Sequence, residues 1–144
     1  MAILLLIGGV ETTTNLLGTT LIELNRHRDC FDRVLADHGL IPAVLEEVLR
    51  YNPPVQIIFR HTTVDTEIAG VKIPAGSAIM PILASANRDE SKFDNPEVFD
   101  IDRKIEVPLM SFGQGPHFCL GNYLSRMEAK SALEVVFSRF SLIE

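Results

Sequence analysis

The stretch Phe112-Gly113-Gln114-Gly115-Pro116-His117-Phe118-Cys119-Leu120-Gly121 surrounds one cysteine with three glycines, a proline and two phenylalanines. Beyond it, apolar residues at Leu120, Leu124 and Met127, then Leu133, Val136, Phe137 and Phe140, predict a helix from about Leu120 to Phe140. Cys119 therefore stands at the mouth of a helix, where free N–H groups and the positive helix end converge. Such a place favours the thiolate, the form that binds metal or attacks as a nucleophile. A buried free cysteine behind a glycine turn is the plain alternative. The glycine spacing and the nearby His117 argue against it, and leave nucleophile and metal ligand both open.

The remainder of the chain sets limits on the choice. Its 144 residues are one domain's worth, and 47% apolar with 22% charged residues describes a soluble globular protein. A net charge of -6 with no basic stripe excludes a nucleic-acid binder. Cys30 and Cys119 show neither disulfide nor zinc-ribbon spacing, which suits a reducing compartment. The opening Met1-Ala2-Ile3-Leu4-Leu5-Leu6-Ile7 lacks the basic leader of a signal peptide and is too short to span a membrane. It reads as a helix apolar on every face, which is expected to be buried on every face in fuller surroundings.

Residues 2 to about 26 read as one long helix with a polar centre. Gly8 and Gly9 each cost about 1 kcal/mol relative to alanine, and Glu11, Thr12, Thr13, Thr14 and Asn15 come after them. Thr12 can donate to the Gly8 carbonyl four residues back. Packing and solvation are the ordinary explanation of such residues; inside a buried helix, a carboxylate beside that hydroxyl reads as a proton path. A second helix from near Asp29 to Asp37 carries Phe31, Val34 and Leu35 on one face. His27, Cys30 and His38 belong to a charged surface helix rather than to a metal site. A third helix starts at Pro42 and stops at Pro53-Pro54, with Leu45, Val48 and Leu49 as its apolar stripe. Glu46 and Glu47 both reach Arg50, and local geometry does not choose between them.

From Val55 the pattern turns to β. Val55 to Phe59 is β-rich, Arg60 and His61 interrupt it, and Thr62 to Val64 resumes. Glu67 to Ile73 reads as strand, glycine turn, strand; Pro74-Ala75-Gly76 as a tight turn; and Ala78 to Leu83 as another short strand. The expected fold class is mainly α with a small antiparallel β-sheet. Residues 84 to 111 are a long irregular passage with a short helix in its middle, leading to the cysteine loop.

Together these elements resemble the C-terminal half of a cytochrome P-450, the heme-thiolate monooxygenase family. Phe112 to Gly121 matches the family's heme-binding loop F-G-x-G-x-H-x-C-x-G at every fixed position. The resemblance makes Cys119 the axial thiolate of heme b iron, a ligand suited to O–O cleavage. It puts His117 on a heme propionate, Phe112 near the sulfur, and Gly113 and Gly115 in a thin backbone beneath the porphyrin, with Gly121 closing the motif. Gly8-Gly9-Val10-Glu11-Thr12-Thr13 resembles the oxygen-activating helix, in which Glu11 and Thr12 would be the acid–alcohol pair. Glu47-Val48-Leu49-Arg50 is similar to the E-x-x-R element and selects Glu47, which with Arg50 and Arg103 would form a buried ionic triad. Arg60 falls where the family binds a propionate.

The resemblance implies a small apolar substrate, dioxygen, and electrons from NAD(P)H through a ferredoxin- or flavodoxin-type donor, with Arg126 either a contact for that donor or a plain surface arginine. It also implies the soluble bacterial type in the cytoplasm, with no membrane span in this chain. Residues 1–144 would be a single partial domain, without the family's N-terminal half or its terminal β-hairpin after Phe140 to Glu144. Val55 to Phe59 and Ile7 to Val10 would line what is present of the pocket. The alternatives are a heme-thiolate isomerase, a peroxygenase or heme-binding protein, and a truncated fragment that catalyses nothing alone.

Overall fold

Helix α1, Ala2–Arg26, ties two of its threonine hydroxyls to its own carbonyls. Thr12 donates to Gly8 O at 2.6 Å and Thr20 to Leu16 O at 2.7 Å. This computed structural model describes residues 2–141, with side chains from residue 6 onward. The side chains of Ile3, Leu4 and Leu5, and the residues Leu142 to Glu144, lie outside the described residues. Leu6, Ile7 and Val10 are exposed, whereas Leu16, Thr20, Glu23 and Leu24 are buried. The helix thus enters the core only in its second half.

Helix α2, Arg28–Ala36, and α3, Ile41–Tyr51, are joined by a 3-10 turn at His38–Leu40, where Asp37 accepts from the Gly39 amide at 2.8 Å. Pro42 sits in the first turn of α3, where a missing N–H costs nothing, and Asn52 ends the helix before Pro53-Pro54. Helix α5, Asn122–Arg139, packs with α1 and α3. Leu16 and Leu24 of α1, Val44 and Val48 of α3, and Ala129, Leu133 and Phe137 of α5 belong to one apolar cluster. Each large side chain among them contributes about 1.5–3 kcal/mol of burial.

The structure shortens the expected strands. Arg60–His61 (β1) pairs antiparallel with Ala78–Ile79 (β4), and Thr66–Ile68 (β2) with Val71–Ile73 (β3), as two separate two-stranded sheets. Arg60 and His61 were expected to break the strand, yet they are its paired part. Val55 to Phe59 contributes one isolated bridge, Ile57 to Ile82. The period-2 pattern lacks a covered face here: Ile57 and Phe59 are exposed, so nothing extends the ladder. Ala69 and Gly70 turn the β2–β3 hairpin at positive φ.

Among the described residues no helix is long and apolar enough to cross a membrane. The passage after β4 also differs from expectation. Its helix, α4, is Leu83–Ala86, at the start rather than the middle. Side chains hold the irregular segment beyond α4. Asn87, fully buried, donates to Leu49 O at 3.2 Å and to Ser111 Oγ at 2.8 Å, and its Oδ1 accepts from the Met110 amide at 2.7 Å. Arg33 of α2 donates twice to Asp102, at 2.9 and 2.7 Å.

The Arg33 hydrogen bonds, more than its charge, hold the Asp102 carboxyl below the usual carboxylate range. A depressed folded pKa gives stability that is present above the unfolded value, about 3.9, and is lost as pH falls through the folded value. Asp102→Asn is therefore expected to flatten the acid limb of the stability curve and to change stability near neutrality little, since the pair is exposed. Urea midpoints measured from neutral to acid pH check this. A variant that loses stability in acid as steeply as the parent contradicts it.

Candidate functional site

The cysteine loop is folded by its own backbone. Leu109 leads into a 3-10 turn at Met110–Phe112, Gly113 reverses the chain at φ 68, and Gly115 opens a second turn, Gly115–His117, at φ 77. Both glycines occupy the left-handed region that a side chain would strain. A Cβ added at either would meet nothing within 4 Å, so this surface of the loop is open. The Cys119 amide donates to Phe112 O at 3.0 Å, closing the loop on itself. Asn122 Nδ2 donates to Cys119 O at 2.9 Å and ties the loop to the first turn of α5.

Helix α5 begins at Asn122, two residues later than expected, with Gly121 as its N-cap. Cys119 precedes it, half-buried, with its thiol free of any disulfide. A Cβ on Gly121 would lie 3.9 Å from the Cys119 Sγ, an ordinary contact. Leu120, Leu124 and Met127, expected in the core stripe, are exposed; Leu133 and Phe137 carry the buried face. Leu124 and Met127 lie on the face of α5 turned away from the buried Asn122, Ala129, Leu133 and Phe137.

Three distant parts of the chain meet at this loop. A cleft of about 270 Å³ is lined by Gly8 and Thr12 of α1, by Pro54, Val55, Ile58 and Arg60, by Leu83, and by Ser111, Phe112, Gly113, His117 and Cys119. It therefore gathers Thr12, Arg60, Phe112, Gly113, His117 and Cys119 from the expected site. Gly8 leaves α1 open there, since a Cβ on it would also meet nothing within 4 Å. Val55 and Ile58 line the cleft as expected, but Ile7 and Val10 do not. Glu11 is absent from the lining. Its side chain is exposed, with no hydrogen-bond or ion-pair partner among the described residues. The acid and the alcohol are neighbours in sequence on different faces of α1. Gly115 and Gly121 also lie outside the lining.

Arg60 and His117 are both exposed at the cleft, and Arg60 Nη1 donates to Phe59 O at 2.8 Å. Their remaining donors are available to an anionic group. Thr12 is half-buried, and its hydroxyl proton is held by Gly8 O.

Beneath the cleft, the two candidate glutamates separate. Arg50 Nε and Nη2 donate to Glu47 Oε2 and Oε1 at 2.8 and 2.7 Å, with both side chains almost wholly buried. Arg103 Nε reaches the same Oε1 at 3.4 Å, and the Asp100 amide donates to it at 2.8 Å. Arg50 spends its other donors on the carbonyls of Asn87, Pro96 and Val98, at 3.3, 2.8 and 3.0 Å. Glu46 instead pairs with Arg126 across to α5.

Sequence reasoning missed Asn87 and Ser111. Ser111 lines the cleft, accepts from Asn87 and bonds Leu49 O. No periodicity marks residues in an irregular passage, so only a buried polar side chain in the fold exposes their role. It also missed Glu23, buried in α1, which accepts from Arg26 and Asn52 at 3.0 Å each. His27 stacks on Phe99 at 4.6 Å and Cys30 is buried, pushed up in pKa by burial and then by Asp29. Among the described residues no cluster could hold a metal through several protein ligands.

Comparison with known proteins gives this geometry a context. The chain is 47% identical over 137 residues to the erythromycin C-12 hydroxylase of Saccharopolyspora erythraea, covering 94% of this chain and 34% of that one. It resembles the structure of a cytochrome P-450 from Chondromyces apiculatus at a TM-score of 0.92 and 50% identity, over 95% of this chain and 35% of that chain. It also resembles CYP109E1 from Bacillus megaterium in complex with corticosterone, at a TM-score of 0.91 and 47% identity, over 96% and 37% of the two chains. The chain thus spans about a third of the length of the curated relatives it matches. The family model for cytochrome P-450 matches residues 1–144 throughout, and the chain belongs to that family.

Proposed function

We propose that these residues are the heme-thiolate portion of a monooxygenase that inserts one oxygen atom from dioxygen into an apolar organic substrate. The observation that carries this reading is the single cleft shared by Cys119, His117, Arg60 and Thr12. Family membership implies heme iron bound by a cysteine thiolate, and the residues present fit that group. A lone thiol lines an open glycine surface, apolar Val55, Ile58 and Leu83 share the cleft, and two exposed nitrogen donors border it.

Heme b, when bound through a thiolate, supplies dioxygen reduction and the electron push that favours O–O cleavage. The chain's own residues have separate tasks. Cys119 would supply the thiolate that holds the iron. Gly113 and Gly115 keep the backbone thin on the open side, and Phe112 packs at the base of the cleft. Arg60 and His117 would hold the heme carboxylates by charge-assisted hydrogen bonds. Val55, Ile58 and Leu83 exclude water and meet the substrate. Thr12, its hydroxyl proton held on Gly8 O, would accept a hydrogen bond from a water in the cleft and so orient the water that delivers protons. Glu11, exposed on a different face of α1, exchanges protons with solvent and does not reach this water.

Electrons come from NAD(P)H through a ferredoxin- or flavodoxin-type donor in the cytoplasm. Bacillus megaterium CYP109E1 has been solved with corticosterone and with testosterone, which supports a compact apolar substrate for this chain also.

Thr12→Ala tests the assignment. With an NAD(P)H-driven redox system and a turned-over substrate, product formation is expected to fall on the order of 10²-fold, the size of a lost proton-transfer contribution. NAD(P)H consumption continues, with peroxide as its product. Product formed in the parent's ratio to NAD(P)H would overturn the role of Thr12.

A further inference from the structure

Arg126 stands on the first turns of α5 beside the cysteine loop. An exposed arginine there would be free to meet a partner; this one has its guanidinium engaged within the chain. Its Nε and Nη2 form a bidentate pair with the Glu46 carboxylate, the Nη2 arm at 3.0 Å, and Nη1 donates to Asn122 O at 3.0 Å. Its Cζ lies over the Phe112 ring, 4.4 Å from the centroid. The side chain is only 30% exposed.

We infer that Arg126 is a positioning residue that clamps the cysteine loop through Phe112, and is not a docking residue. Three elements converge on its planar group: α3 through Glu46, α5 through Asn122, and the loop through the face of Phe112. Phe112 O accepts the Cys119 amide, so a ring held flat under the guanidinium fixes the carbonyl that fixes the cysteine. Asn122, whose carbonyl takes Nη1, also donates to Cys119 O. Both backbone anchors of Cys119 thus connect to one side chain. A lysine there could keep a charge near Glu46, but not the bidentate fork and the stack together. The purpose of the clamp, holding an axial sulfur in register, rests on the proposed heme ligation by Cys119.

Hydrogen exchange on the heme-free chain tests it, so that its failure is separate from any failure to ligate heme. Arg126→Gln is expected to speed exchange of the Gly113, Phe118 and Cys119 amides about tenfold, the size expected for loss of one stacked ion pair. Amides inside α3 should exchange as in the parent. Arg126→Lys should resemble Arg126→Gln, and Glu46→Gln should loosen the same amides while leaving α5 intact. In heme-loaded Arg126→Gln, the share of the reduced carbon monoxide form lacking a thiolate-type band should rise on warming. Unchanged loop protection in both Arg126→Gln and Glu46→Gln would overturn the clamp. So would full rescue of that protection by lysine.

Discussion

Glu47→Ala is expected to destabilise the protein by about 3–5 kcal/mol, the cost of leaving a buried charge without its partner. Against a total stability of about 5–15 kcal/mol, that removes most of the stability at the lower end of the range. The carboxylate serves three donors at once: the Arg50 fork, Arg103 and the Asp100 amide. Its removal leaves the Arg50 guanidinium fully buried with only backbone carbonyls to neutralise it, and Arg103 beside it with no carboxylate between them. The two arginines also hold the carbonyls of Asp94, Asn95, Pro96 and Val98, so the segment leading to the cysteine loop loses its anchor. Glu46→Ala makes the control, since its half-buried pairing with Arg126 is worth less than the fully buried one. Urea denaturation compares the two. Equal losses would contradict the buried triad.

Where the fold could be read in advance, one local rule sufficed. Pro42 and Pro53-Pro54 bracket α3 by backbone chemistry alone, and the Gly8 to Thr12 spacing gives the back-bonded hydroxyl found at 2.6 Å. Reading failed where tertiary context decides. Leu120, Leu124 and Met127 fit a helical stripe, but Leu120 precedes α5, and the face that meets α1 and α3 is the other one, with Ala129, Leu133 and Phe137. Arg60 and His61 look like strand breakers, yet β4 supplies the pairing that makes them a strand. The choice between Glu46 and Glu47 is invisible at i+3 and i+4 spacing. It is made by partners far away in sequence, Arg103 for one and Arg126 for the other. Adjacent Glu11 and Thr12 likewise read as a unit, although a helix turns successive residues about 100° apart and only Thr12 reaches the cleft.

Cys119→Ser has the largest expected effect on function. It changes one atom and leaves the loop's backbone bonds, including Cys119 N to Phe112 O, in place. A serine hydroxyl does not ionise near neutrality, so the site loses the anionic sulfur while keeping its shape. On the proposed function, heme binding through Arg60, His117 and the apolar walls should weaken rather than vanish, and oxygen insertion should be lost. Cys30, buried on α2 and absent from the cleft, provides the internal control. The direct measurement is the Soret band of the reduced, carbon monoxide-bound, heme-reconstituted protein. A strongly red-shifted band is predicted in the parent and in Cys30→Ser, and its loss in Cys119→Ser. Persistence of that band in Cys119→Ser, or its absence from the heme-bound parent, would contradict ligation by Cys119.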